Sequence, residues 1–254
     1  MVSLMLIALP VVVIVVTLCH SQLLAFCRRV CARVPSFLKK KVCVSSTHAY
    51  VFTESTHGQA TSVLAAFDLY SKTHTSFSIG PKKGEFVDEV VKREAPLRVL
   101  ELGMHCGYTS VRILRLLPTR GRLLTVELDP LTAEKGEEII LVAGFKNPQF
   151  QVLTFSSAEA ISSLASLIGE SCLDLVVMDH DPDQYLEDLL ALQSCKVLSP
   201  HCVLLLNGTL QPGAQALLEY ITSRPEYFTI GHQVQDMVEI HCHTSTHSQG
   251  EESC

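Results

Sequence analysis

A chain of 254 residues that is 47% hydrophobic, with a mean hydropathy of +0.28, can bury one sizeable core and is more apolar than most soluble proteins. Its formal net charge is −6 but unevenly spread: residues 28–41 carry six Lys and Arg and no acid, and all 26 acids lie beyond them. An acidic body of this kind does not suggest a nucleic-acid-binding protein.

Residues 4–19 (LMLIALPVVVIVVTLC) are uninterrupted apolar, and no charged side chain precedes Arg28. With LLAFC following, the segment is long enough to span ~30 Å of hydrocarbon. It lacks the basic start and small-residue cleavage site of a secretory signal, so residues 1–27 read as an uncleaved membrane anchor. The basic collar after it favours a cytoplasmic position for everything downstream, on an endoplasmic reticulum or other secretory-pathway membrane. Cys27 and Cys31 in the collar are either palmitoylation sites or simply line the helix end. Residues 28–48 read as a basic juxtamembrane linker, 49–243 as the folded domain and 244–254 as a disordered tail.

Within the domain, residues 61–72 are amphipathic, with Val63, Leu64, Phe67 and Tyr70 on one face. GPKKG (80–84) reads as a turn before a helix at 85–93. The stretch VLELGMHCGYTS (99–110) is the one around which the domain is organised. A buried strand at 97–102 runs into a turn allowed by Gly103 and Gly107, and helical spacing resumes at Tyr108 and runs to Leu117. A strand, a glycine turn and a helix start direct backbone N–H groups at a ligand. The next strand, 122–126, is closed by Glu127, an acid placed to accept both hydroxyls of a ribose. Asp129-Pro130 caps a helix that ends at Gly144. Strands at 149–154, 173–180 and 201–207 alternate with helices at 158–168, 184–195 and 212–223. Segments 227–234 and 237–243 form a closing antiparallel pair. The alternation predicts an α/β, doubly wound sheet. The 10 cysteines follow no zinc or disulfide spacing. Cys172, Cys195 and Cys202 read as small core residues, which suits a reducing compartment, and Cys106 as a packing residue in the turn. His241, Cys242, His243 and His247 match no zinc motif and read as a solvated tail.

These motifs resemble the catechol O-methyltransferase family, and more specifically its membrane-anchored branch, the transmembrane O-methyltransferases. The resemblance runs from about Ala49 to Ala214 through VLAAFDLY, IGPKKG, VLELGMHCGYTSVRILRLLP, RLLTVELDP, LDLVVMDH and PGA. It implies a class I S-adenosylmethionine (SAM)-dependent methyltransferase fold, Rossmann-like with one antiparallel strand. It also implies cofactor contacts at Ser78, Ile79, Glu101, Gly103, Tyr108, Thr109, Glu127, Ser157 and Asp179.

The family's chemistry is less well kept. Its magnesium ion is held by two Asp and one Asn. Here Asp179 remains, Asn207 stands at the second Asp and Gly208 at the Asn, leaving Asp179 and Asn207 as the metal ligands. The family's general-base Lys falls at Pro182, and Thr75 and Asp181 replace aromatic walls. His180 and His105 are the remaining groups able to act as a base without metal. Glu239 is nearest to the family's late acidic residue. The resemblance therefore implies either methyl transfer to a catechol-like hydroxyl, or a degenerate enzyme acting by protein binding. The latter would be the delivery of a membrane channel protein, the mechanotransduction channel of hair cells, in hearing.

Overall fold

The computed structural model describes residues 36–76 and 78–243, with side chains from residue 44 onward. The expected anchor at 1–27 and tail at 244–254 lie outside them, and among the described residues no helix is long and apolar enough to cross a membrane. The chain divides into Met1–Val42 and Cys43–Cys254, and the second unit carries the sheet.

The expected linker at 28–48 is helical from Ser36: α1 runs Ser36–Glu54. Its buried stripe is Val44, Thr47 and Val51, at helical spacing. The run of serines and threonines between the valines hides that stripe in the sequence. Helix α2 is Ala60–Thr73, and α3 is Gly80–Glu94. GPKKG is thus the first turn of α3 rather than a connection before it. Pro81 sits where a helix has no N–H to satisfy, so it starts the helix instead of breaking it.

The seven-stranded sheet has the order β3-β2-β1-β4-β5-β7-β6. Its strands are β1 (Arg98–Leu102), β2 (Arg122–Val126), β3 (Phe150–Leu153), β4 (Leu173–Met178), β5 (Leu198–Leu206), β6 (Phe228–Val234) and β7 (Met237–Cys242). Strands β1 to β5 are mutually parallel, and β7 runs antiparallel to both β5 and β6, so one strand is reversed, as expected. The helices between are α4 (Tyr108–Leu114), α5 (Pro130–Val142), α6 (Ser157–Ile168), α7 (Tyr185–Ser194) and α8 (Gln215–Thr222).

Alternate residues of β1, β4 and β5 feed two cores. Val99, Leu175, Val177, Val203 and Leu205 join one, and Leu100, Leu102, Val176, Leu204 and Leu206 join the other. Strands buried on both faces read as continuous aliphatic runs, which is how their sequences look. Cys202 and Cys106 are buried as expected. Cys195 is exposed at the end of α7, and Cys172 is half-buried and disulfide-bonded, so neither is a free core thiol.

Candidate cofactor and acceptor site

The strand order reverses between β1 and β4, and the crevice outside the carboxyl ends of the strands at such a point is where open α/β sheets bind ligands. Main-chain bonds fix this edge. Gly103 and Met104 donate to the Val126 carbonyl at 3.0 Å, and Asp179 donates to the Leu102 carbonyl at 2.8 Å. Gly103 has φ of +97°, and a Cβ there would lie 2.4 Å from the Asp179 carbonyl oxygen. Only glycine allows β1 and β4 to approach so closely.

Glu127 follows β2. Its carboxylate accepts from the His105 N–H at 3.0 Å and the Asp129 N–H at 3.2 Å, so the acid is aimed by the turn after Gly103 and by the start of α5. Leu128, 69% exposed, with Leu131 and Phe155, adds apolar surface around the same strand ends. Sequence reasoning singles out none of these three. An unusually exposed apolar residue beside a ribose-type acid is the signal that would find them.

Glu101 is fully buried in β1 and accepts from Ser110 Oγ at 2.5 Å and Thr125 Oγ1 at 2.6 Å, both on one oxygen. Its Oε1 is buried with no hydrogen-bond partner. Desolvation pushes this carboxyl up to about 8, against the two hydroxyl bonds that favour the charged form. Ser110 and Thr125 escape sequence reasoning because a hydroxyl in an apolar segment carries no pattern of its own.

The other expected cofactor residues separate. Ile79 is buried at the start of α3, and Ser78 bonds Ser76 at 3.0 Å. Thr109 is buried in the first turn of α4. The Tyr108 hydroxyl donates to Asp68 of α2 at 2.7 Å and accepts from Arg112 at 2.8 Å. Arg112 in turn pairs with Asp88 at 2.7 Å, so this network joins α2, α3 and α4. Ser157 bonds Gln184 at 3.0 Å and ties α6 to the turn before α7.

On the β4–β5 side, Asp179 Oδ1 accepts from Asn207 Nδ2 at 2.6 Å. Asn207 Oδ1 accepts from Lys83 Nζ of α3 at 2.7 Å, and Lys83 also pairs with Asp236 at 2.9 Å. Gly208 offers no side-chain oxygen. A magnesium ion needs several oxygen ligands at about 2.1 Å in near-octahedral array. Both expected ligands are instead engaged with each other, and an ammonium lies against Asn207, so the residues present do not fit that ion. His180 points to α7: its Nε2 lies 2.7 Å from the buried Asp188 carboxylate and its ring packs on Tyr185. Its Nδ1 is buried without a hydrogen-bond partner. Glu239 is not brought to this group. It is wholly buried in β7 and pairs with Arg93, in the last turn of α3, and with His241 at 2.7 Å.

A mixed seven-stranded sheet in this order, with a glycine turn and acid at the β1–β2 ends, is the class I SAM-dependent methyltransferase α/β fold. A family model described as O-methyltransferase matches residues 60–198, and the chain belongs to that family. The catechol O-methyltransferase of Bos taurus is 36% identical over 179 residues, covering 70% of this chain and 65% of that protein. The transmembrane O-methyltransferase of Homo sapiens is 38% identical over 180 residues, covering 70% and 62%. The matched part thus spans slightly less than two thirds of these relatives. Among solved structures, an O-methyltransferase from Bacillus cereus in complex with SAH superposes with a TM-score of 0.60 at 18% identity, covering 78% of this chain and 90% of that one. The O-methyltransferase TomG from Streptomyces achromogenes, in complex with SAM, gives 0.58 at 19%, covering 81% and 98%.

Proposed function

We propose that this chain binds SAM and transfers methyl to a small hydroxylated, catechol-like acceptor without magnesium, turning over catechols far more slowly than relatives with the full metal site. The observation that carries the reading is Glu127, held by two N–H donors beside the Gly103 turn and flanked by exposed Leu128, Leu131 and Phe155. A carboxylate aimed by the backbone suits two ribose hydroxyls, and the apolar surface suits a purine. The buried, unpartnered Oε1 of Glu101 suits an ammonium. Bound SAM would supply an electrophilic methyl group, its S–CH3 bond breaking as the new C–O bond forms, so that SAH is the leaving group. His180 is the candidate base: with its Nε2 proton held by Asp188, Nδ1 is the nitrogen left to take the proton that the acceptor hydroxyl releases as its oxygen forms the new C–O bond. The relatives named as transmembrane support an anchor at residues 1–27, and the basic collar at 28–41 favours a cytoplasmic side for the domain.

A second reading, partner binding in the assembly of a membrane channel, is favoured by Gly208 and Pro182 standing where a metal ligand and a base are expected. A methyl-transfer assay with the full-length chain, a catechol panel and EDTA separates the two. Slow, EDTA-insensitive transfer supports the first. No transfer to any acceptor, with SAM bound, supports the second. Fast transfer abolished by EDTA contradicts both.

A further inference from the structure

We propose that Arg98 and Arg122 form an anion site fitted to a phosphate monoester that carries an apolar group. They open β1 and β2, so the site lies at the amino ends of the strands, away from the crevice at their carboxyl ends. The two residues are direct partners in the parallel ladder. Neighbouring strands lie ~4.8 Å apart, and partners in register present their side chains on the same face. Both arginines line one recess, about 240 Å³ including its open mouth, walled by Leu124 of β2, Leu167 and Ile168 at the end of α6, and Leu173 of β4.

Like charges directly opposite on a sheet destabilise it, and a part-buried charge without a counter-ion costs more. Yet the partners of both guanidiniums are neutral. Arg122 Nη2 donates to Gln151 Oε1 at 2.7 Å, and its Nε is buried with no hydrogen-bond partner. Arg98 Nη1 donates to the Leu97 and Arg120 carbonyls at 3.0 and 3.4 Å. Asp174 on the adjacent β4 is spent on main chain, its Oδ2 accepting from the Leu97 and Arg98 N–H groups at 2.8 and 3.0 Å. Among the described residues neither arginine forms an ion pair, whereas Arg93, Arg112 and Arg115 each do. In a chain of net charge −6 that is not a shortage of acids. The missing charge is one that a ligand can bring. Two adjacent guanidinium forks match the charge and the several acceptor oxygens of a phosphate monoester better than a single carboxylate. The aliphatic wall gives an apolar substituent surface to cover and keeps water from the ion pairs. A soluble ester and a lipid headgroup share this chemistry.

The test is calorimetric titration of the detergent-solubilised full-length chain at matched ionic strength. The probes are phenyl phosphate, inorganic phosphate and a soluble short-chain phosphatidic acid, and the variants are Arg98→Gln and Arg122→Gln. Wild type is expected to bind phenyl phosphate saturably and more tightly than inorganic phosphate. Each Gln variant is expected to bind it at least about tenfold more weakly. Tighter binding of the phosphatidic acid than of phenyl phosphate assigns the site to a lipid headgroup, and the reverse order assigns it to a soluble ester. No saturable uptake of any probe by wild type overturns the proposal. So does uptake that both Gln variants keep in full, which would place the phosphate on the basic run at 28–41. Should the Gln variants not fold, Leu167→Glu sets a carboxylate on the half-buried wall of the recess, and the same loss is expected of it. SAM titration of the same samples is independent: its failure bears on methyl transfer alone and leaves the anion site standing.

Discussion

The two sides of the crevice are built from different materials. At the β1–β2 ends the geometry is set by main chain: Gly103 and Met104 on the Val126 carbonyl, and two N–H groups on Glu127. At the β4–β5 ends it is set by side chains bonded to one another, in the run Asp179, Asn207, Lys83 and Asp236. A site made of backbone tolerates change in most of its side chains, since peptide groups supply the contacts. A site made of side chains can be rewritten by single replacements, such as an Asn for an Asp or a Gly for an Asn. On the proposed function, that contrast would leave the cofactor side close to the pattern the resemblance implies and the acceptor side far from it.

The largest effect is expected at Gly103. Gly103→Ala puts a methyl 2.4 Å from the Asp179 carbonyl at a φ of +97°, so β1 and β4 must separate. Destabilisation of about 3 kcal/mol or more is expected in urea unfolding, together with loss of SAM binding. A variant as stable as wild type would show that the main-chain contact is not what fixes this side. Next is Glu127→Ala. It removes a carboxylate suited to two charge-assisted hydrogen bonds, so SAM affinity should fall by about 2–3 kcal/mol in calorimetric titration.

The third prediction concerns pH. The Glu101 carboxyl, at about 8 in the fold against an ordinary 4.5, keeps its proton where the unfolded chain has released it. Its stabilising contribution is therefore full below about pH 4.5 and is lost as pH rises through about 8. The slope is at most about 1.4 kcal/mol per pH unit for one proton. Urea midpoints measured from pH 5 to 8.5 should fall for wild type and flatten for Glu101→Gln. A parallel fall in both would assign the trend to other groups. The smallest effect is expected at Asp188. Asp188→Asn should slow methyl transfer about tenfold by misorienting His180, with the SAM dissociation constant unchanged. A change in SAM affinity instead would place the pair on the cofactor side.

Much of the fold is legible in the sequence because it rests on local pattern. Strand β2, a run of aliphatic residues with clear bounds, reads at its observed limits, and Glu127 at its end follows from spacing. Helix α1 does not, since its buried stripe includes Thr47 amid other polar residues. GPKKG reads as a turn because Gly and Pro punctuate turns as readily as helix starts. That misreading hides Lys83, whose partners lie 124 and 153 residues away. Asp188 is hidden likewise, one of two adjacent acids on α7, made significant only when the chain folds His180 back onto it. Contacts between distant side chains leave no periodicity, so the acceptor side is where reading a single chain stops.

The most direct test of the central claim, a backbone-built cofactor side working beside a metal-free acceptor side, is calorimetric titration of SAM into the full-length chain with magnesium and with EDTA. Saturable binding with the same dissociation constant in both conditions is predicted. Absence of SAM binding, or binding that appears only with magnesium, would contradict the account.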